Sequence, residues 1–86
     1  MSTPLTDLDL RLAAELDHAR DMLIMMGDDL SGDFAVVSRH SLTLQAVDIV
    51  SQMLGHIANV VRADDQLEAV DKIGMCDLKS KLTAAA

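Results

Sequence analysis

The residues with the most distinctive chemistry lie between positions 41 and 61, where Asp48 carries the only formal charge at pH 7. At about 100° per residue, the polar side chains of this segment fall along one narrow line of a helix. This polar stripe consists of Ser41, Gln45, Asp48, Gln52 and Asn59, with Gly55 beside it. A solvated helix face ordinarily carries Lys and Glu, whereas the polar stripe offers amides, a hydroxyl and one carboxylate. We therefore treat the polar stripe as the candidate site.

Asp48 and Gln52 are four residues apart, so their side chains lie one turn above each other on the same helix face. Together they can enter one cleft of a partner protein. Five neighbours suit such an insertion: Ser41, Gly55 and Ser51 are small or short, and Gln45 and Asn59 offer flanking hydrogen bonds.

The histidines offer a second chemistry, because a histidine on a helical bundle can accept a phosphoryl group. His40 is followed by Ser-Leu-Thr-Leu and not by the acid of a kinase dimerisation helix, and neither His40 nor His56 has the H-x-x-K-G pattern of a phosphotransfer domain. We expect a partly buried, hydrogen-bonded histidine at each position, and a surface histidine at His18. A metal site is disfavoured, because Gln52 is a poor ligand for a metal at His56 and no third ligand is evident.

The composition indicates a single helical domain spanning residues 1–86. Half of the residues are apolar, yet the chain has one Phe and no Trp or Tyr, so Leu, Ala, Val and six Met carry the apolar content. Aliphatic packing between helices is the natural use of that mixture, and we expect an all-α fold. The ends, at about residues 1–4 and 83–86, are expected to fray.

The formal net charge is −7 and no cluster of Lys or Arg occurs, so a nucleic acid backbone would be repelled. The N-terminus lacks the basic region and apolar core of a secretory signal, and no apolar run approaches the roughly 18 residues of a membrane span. We expect a cytoplasmic protein. Cys76 is the only cysteine, which excludes an internal disulfide, and we expect it to act as a small packing residue.

The elements that must position the polar stripe begin with a long amphipathic helix, predicted at about residues 5–27. Its apolar residues repeat at three- and four-residue steps and form an aliphatic seam: Leu5, Leu8, Leu12, Leu16, Ala19, Leu23, Met26 and Leu30. Thr3 or Thr6 can cap this helix, with Pro4 tolerated near its start. Its other face, which includes Asp17 and Arg20, has the charges of an ordinary solvated surface.

A second long helix, predicted at about residues 34–62, carries the polar stripe. Gly27 or Gly32 can supply the left-handed residue that ends the first helix, and Ser31 or Asp33 can cap the second. Helices of similar length joined by so short a turn predict an antiparallel helical hairpin.

One or two short C-terminal helices are predicted after the hairpin. Asp65 and Glu68 have the spacing of a capping box, and Gly74 can end the helix that they begin. One further turn or two is predicted between Asp77 and Leu82.

The second helix is apolar over about 200° of its circumference, which one neighbouring helix cannot cover. Either the C-terminal segment covers the remainder within one chain, or two hairpins pair about a two-fold axis into a four-helix bundle. We favour the homodimer.

The motif Asp48-x-x-x-Gln52, in the middle of a long hairpin helix, resembles the D-x-x-x-Q signature of CheZ-like response-regulator phosphatases, and especially their short CheT-type chemotaxis members. The resemblance covers the motif, its surroundings at Gln45 and His56, and the hairpin layout. It implies a protein phosphatase that hydrolyses the aspartyl phosphate of a chemotaxis-type response regulator. Longer family members carry a regulator-binding helix on a C-terminal tether, for which this chain has no room.

The resemblance also implies a role for each residue of the motif. Gln52 would orient the attacking water, and Asp48 would dock on the lysine of the regulator's receiver domain. The Mg²⁺ of the reaction would be bound by the CheY-like receiver domain, and no cofactor is expected in this chain.

The main alternative is a noncatalytic helical adaptor or regulatory binding module of two-component signalling, which would use the same polar stripe to hold a partner. Methionines at positions 22, 25, 26 and 53 would suit a malleable interface as well as a core. A histidine phosphotransfer module is the less favoured alternative.

Overall fold

The computed structural model describes residues 5–84, and within that range it contains four helices and no strand. They are α1 (Asp7–Ser31), α2 (Phe34–Val61), α3 (Gln66–Asp71) and α4 (Cys76–Ala84). The predicted all-α class is confirmed. Helix α4 runs to Ala84, and the fraying predicted at positions 83 and 84 stays a prediction, whereas the fraying predicted at 1–4 and 85–86 falls outside the described residues.

The long helices α1 and α2 pack side by side as the predicted antiparallel hairpin. Residues near the start of α1 contact the end of α2, as when Arg62 reaches Asp17, while Gly27 lies beside Val47 near the turn. The described chain measures 52 × 26 × 15 Å. Since a helix with its side chains is about 10–12 Å wide, the hairpin is close to one layer thick. Both of its broad faces are therefore open.

The N-terminus of α1 is closed by a capping box at Thr6, one of the two predicted caps. The Thr6 side-chain oxygen accepts a hydrogen bond from the Asp9 N–H at 3.0 Å, and the Asp9 carboxylate accepts one from the Thr6 N–H at 3.1 Å. Two of the free N–H groups at the helix start are satisfied in this way. The other predicted cap, Thr3, and Pro4 lie outside the described residues.

The turn between α1 and α2 differs from the prediction. Helix α1 continues four residues past Gly27, and Gly32 has φ −74°, so neither glycine supplies a left-handed residue. The Gly32 N–H donates to the Asp29 carbonyl at 3.3 Å, and the Asp33 N–H donates to the Leu30 carbonyl at 3.1 Å. These bonds satisfy the last carbonyls of α1 with a tightened final turn, which makes a left-handed cap unnecessary.

Asp33 caps α2, and its carboxylate accepts a hydrogen bond from the Ala35 N–H at 2.9 Å. The helix is not continuous, because His40 has φ −126° and ψ 29° and kinks it. No proline or glycine lies in α2 before Gly55, so the kink does not have the commonest causes. The polar stripe starts at Ser41, just after the kink, and so lies entirely on the longer segment of α2.

Small residues form the contact between α1 and α2. Ala13, Ser51 and Ala58 are almost fully buried, with Ala58 0% exposed. A Cβ placed on Gly27 would lie 3.6 Å from Val47 Cγ1, so the two helices also approach closely near the turn. Small side chains let helix backbones come close together, but they leave little room for large aliphatic residues between them.

Several large aliphatic side chains, such as Leu16 and Leu54, are half-buried beside this contact, and many others remain open to water. The aliphatic seam of α1 is rotated roughly 90° from the line that faces α2. Met26 is 57% exposed and Leu12 is 48% exposed. Other large apolar residues exposed in the single chain are Leu8, Leu10, Met22, Ile24, Met25, Leu30, Phe34, Val37, Leu42, Ile49, Val50 and Leu67.

Helix α3 forms where it was predicted, with the Asp65 carboxylate accepting a hydrogen bond from the Glu68 N–H at 3.0 Å. Of the predicted capping box only this half forms, because the Glu68 carboxylate pairs with Lys72 Nζ at 2.9 Å. That hydrogen bond, with the charge of Glu68, raises the pKa of the Lys72 ammonium group. Helix α3 ends at Asp71 and not at Gly74, since the Lys72 N–H closes the last turn onto α3 carbonyls.

Helix α4 extends on both sides of the predicted segment, and with the preceding turn it supplies the buried residues Ile73 and Leu78. Cys76 does not pack as predicted. It is exposed at the first turn of α4, because the apolar side of that helix is formed by Leu78 instead. Within residues 5–84, no helix combines the length and the apolar character needed to cross a membrane.

Candidate functional site

The polar stripe lies on an open side of the hairpin. Its members Ser41, Gln45, Asp48, Gln52 and Asn59 are all exposed, and Gly55 is half-buried. Residues of α2 that face α1, such as Ser51 and Ala58, lie roughly 100° around the helix from the stripe. The stripe is therefore beside the contact between the helices and not within it.

Asp48 and Gln52 point outward together. The Gln52 amide Nε2 donates a long hydrogen bond of 3.4 Å to Asp48 Oδ2. With its nitrogen turned toward Asp48, the Gln52 amide leaves its carbonyl oxygen to accept a hydrogen bond from a water or a partner. The second carboxylate oxygen, Asp48 Oδ1, is likewise available to a cation. The pair thus offers two acceptor atoms on one helix face.

The backbone beneath this pair is held firmly by the hairpin. Ser51, which lies between the two residues in sequence, was predicted to let a partner approach, but this is wrong because it is 2% exposed and faces α1. Its hydroxyl donates to the Asp48 carbonyl at 2.7 Å, so its polar group is satisfied within the helix. Side chains carried on a packed helix are positioned more accurately than those on a loop. Asp48 and Gln52 therefore project from a rigid support.

A groove of about 280 Å³ opens beside Asp48, between α1 and α2 near the turn of the hairpin. The sequence analysis did not predict it. The groove is lined by Leu23, Ile24, Gly27, Asp28, Ser31, Leu44, Gln45, Val47, Asp48 and Ser51. A signal was present in the sequence, because Gly27 is a poor helix former that directly follows two methionines, which favour a helix. That glycine was interpreted as a helix end.

Gly55 was predicted to let another protein approach, but the group that approaches it comes from the same chain. A Cβ at Gly55 would lie 3.4 Å from Cδ and 3.6 Å from Nη1 of Arg20. The Arg20 guanidinium is held there by Asp17 Oδ1 at 3.1 Å and Asp21 Oδ1 at 2.9 Å. The approach of a partner to Gly55 stays a prediction, and it would require Arg20 to move.

Asp17 and Arg20 were predicted to belong to a solvated face, and this interpretation is wrong. Both are half-buried at the edge of the helix contact, because Gly55 leaves room for the Arg20 side chain. Asp17 also pairs with Arg62 at the end of α2, and Arg62 Nη2 donates to the Ala13 carbonyl at 3.5 Å. These charges connect the two helices on the same side of the hairpin as the polar stripe.

The far end of the polar stripe meets α3. Asn59 and His56 line a crevice with Ala69, Lys72 and Ile73.

His56 is half-buried as predicted, although neither of its ring nitrogens forms a hydrogen bond with residues 5–84. His40, which lies at the kink of α2, is exposed and not partly buried. His18 is a surface residue, as predicted, and its Nδ1 lies 3.9 Å from Glu15 Oε2.

Among the described residues, no three His, Cys, Asp or Glu side chains converge where a metal ion could bind. The chain was also compared with known proteins. No family model matches it, and neither the curated proteins nor the solved structures provide a match. The function of the polar stripe must therefore be inferred from its own geometry and chemistry.

Proposed function

We propose that this chain is a CheZ-like protein phosphatase that hydrolyses the aspartyl phosphate of a chemotaxis-type response regulator. The observation that carries the proposal is the pair Asp48 and Gln52, which are exposed together on one face of a rigid helix and joined by a 3.4 Å hydrogen bond. Two polar side chains with no structural role in the described chain are well suited to insertion into a partner's active site.

The proposed reaction is the attack of water on phosphorus. The Gln52 carbonyl oxygen accepts a hydrogen bond from that water and aligns it opposite the bond to the regulator's aspartate. The water oxygen bonds to phosphorus as this bond breaks, the aspartate leaves as a carboxylate, and the water's proton passes to the phosphate product. The Mg²⁺ and lysine of the receiver domain stabilise the charge, so positioning the water is the main contribution left to this chain.

Asp48 has two tasks in this proposal. Its Oδ2 holds the Gln52 amide, which directs the carbonyl oxygen outward. Its Oδ1 pairs with the receiver's lysine and sets the register of docking. The receiver domain is a cytoplasmic signalling module, and we place this chain in the cytoplasm with it.

We also propose that the active form is a homodimer. The exposed part of the aliphatic seam of α1, which includes Leu12 and Met26 but not the groove residue Leu23, forms one broad face of the hairpin together with Val50 of α2. The polar stripe lies on the opposite face, since Asp28, which shares the groove with Asp48, is on the other side of α1 from Leu12 and Met26. Two hairpins pairing through their seams would form a four-helix bundle with both polar stripes outside.

A noncatalytic adaptor is the second candidate, favoured by the groove beside Asp48, which would serve binding without any reaction. Phosphate release from a panel of phosphorylated receiver domains distinguishes the two. With Gln52→Ala we expect turnover to fall about 100-fold while the affinity for the receiver is kept, because only the oriented water is lost. With Asp48→Ala we expect both affinity and turnover to fall.

Gln66→Ala is the matched control, since it removes the same amide from an exposed position outside the polar stripe. We expect it to retain turnover. If the chain binds a receiver domain and neither Gln52→Ala nor Asp48→Ala changes phosphate release, the phosphatase proposal is wrong and the adaptor is favoured.

A further inference from the structure

The groove beside Asp48 has a chemical character of its own. We propose that it is the specificity pocket for the receiver domain, and that it takes an apolar side chain of the receiver that has a lysine or arginine next to it. This inference rests on the proposed function, because the receiver reaches the groove when it docks on the polar stripe. The groove shares Gln45 and Asp48 with the stripe, so one docking event covers both.

The floor of the groove favours an apolar occupant. It is formed by aliphatic side chains, Leu23, Leu44 and Val47, with the exposed Ile24 at its edge. Its two hydroxyl groups are already engaged, because Ser31 donates to the Gly27 carbonyl and Ser51 to the Asp48 carbonyl, both at 2.7 Å. The floor therefore has apolar surface to bury and no hydroxyl donor waiting for a polar ligand.

The rim of the groove favours a neighbouring cation. Asp28 and Asp48 contribute carboxylates, and the residues that line the groove include no Lys or Arg. The whole chain has a formal net charge of −7, so a basic segment would be attracted and an acidic one repelled. An apolar side chain beside a lysine or arginine satisfies both the floor and the rim.

Gly27 keeps the groove open. It lies inside α1 and, like the other described glycines, has no left-handed backbone that would require glycine. A Cβ there would lie 3.6 Å from Val47 Cγ1, an ordinary contact, so packing would tolerate a small side chain at this position. A large side chain at position 27 would occupy the groove itself. Glycine at position 27 therefore leaves space in the groove and does not form a turn.

The test uses the full chain and a panel of beryllofluoride-loaded CheY-like receiver domains, with affinity measured by titration calorimetry. Gly27→Leu fills the groove and should weaken binding about tenfold or more, and Ile24→Ser should weaken it about fivefold. Asp28→Asn should weaken binding about threefold and reduce its salt dependence. Turnover at saturating receiver should be unchanged in all three, because none of them contacts the phosphoryl group.

Two neighbouring substitutions serve as matched controls. Met25→Ser and Asp29→Asn change an exposed methionine and an exposed aspartate that do not line the groove. Both should stay within about twofold of the unmodified chain. Circular dichroism melts show whether each variant is folded, and Ile24→Ser and Asp28→Asn, at exposed positions, keep the test valid if Gly27→Leu unfolds.

The outcomes separate the two proposals. If Gln52→Ala abolishes turnover but Ile24→Ser and Asp28→Asn bind as their controls do, the groove proposal is wrong and the phosphatase proposal stands. If the unmodified chain neither binds nor dephosphorylates any receiver of the panel, both proposals are wrong. If Gly27→Leu changes only the dimerisation of the chain, the groove is a contact between copies and the specificity pocket is overturned.

Discussion

The two broad faces of the hairpin expose opposite kinds of surface on the same pair of helices. One presents the aliphatic seam, with Leu12 and Met26 about half exposed, and the other presents the polar stripe. Aliphatic surface is typical of permanent interfaces, in which a partner always covers it. Amides and a carboxylate interact well with water and are typical of transient interfaces. This difference supports the proposal of a dimer contact on one face and a receiver-binding site on the other.

The largest expected effect comes from breaking the seam face. Leu12→Asp should raise the dissociation constant of the proposed dimer about 100-fold or more, because it places a charge in an apolar interface. Leu10→Asp is a closely matched control, since Leu10 is 49% exposed and Leu12 is 48% exposed, but Leu10 lies on the side of the polar stripe. Sedimentation equilibrium should find a monomer only for Leu12→Asp. A monomeric parent chain, or equal behaviour of both variants, would contradict the assignment of the faces.

A smaller effect is expected from the contact that holds both faces together. Ala58→Leu adds a large side chain at a position that is 0% exposed, so it should lower the free energy of unfolding by about 1–3 kcal/mol. Chemical denaturation measures this change. Ala35→Leu, at an exposed position of the same helix, should change stability by less than about 0.5 kcal/mol. Equal effects at both positions would show that α2 does not pack on α1 through its small residues.

The smallest expected effect distinguishes the two glycines within the long helices. Gly27→Ala should raise the free energy of unfolding by about 0.5–1 kcal/mol, because alanine favours a helix and the new Cβ meets Val47 at an ordinary 3.6 Å. Gly55→Ala should gain less, since its Cβ would press on Arg20 Cδ at 3.4 Å and disturb the pairing with Asp17. Thermal melts of both variants check the order, and a larger gain at Gly55 would contradict the contact with Arg20.

Local signals predicted the elements of the fold well where the chain itself supplies the interaction. Thr6, Asp33 and Asp65 cap α1, α2 and α3 as their sequence positions suggested, because a cap depends on only a few neighbouring residues. The end of α1 was predicted too early, because that prediction also used only a local signal. Gly27 is a local helix-breaking signal, but α1 continues through it to Ser31.

The candidate site was predictable in part. Helical periodicity was enough to bring Asp48 and Gln52 onto one face, and the structure adds their hydrogen bond and their exposure. Asp17 and Arg20 were misplaced, because whether a charged residue is solvated depends on what the facing helix offers. Arg20 packs beside Gly55, and Asp17 pairs with Arg62 at the end of α2. The sequence of α1 alone does not contain these contacts.

The sequence by itself determined the helical class, the hairpin and the spacing of the polar stripe, because these follow from periodicity and capping along one segment. Only the tertiary structure decided which side of each helix became the contact. Small residues such as Ala13 and Ala58 lie between the helices, and this choice turns the aliphatic seam to one face and the stripe to the other. The groove beside Asp48 exists for the same reason, since it needs Ile24 and Asp28 of α1 to lie against Gln45 of α2.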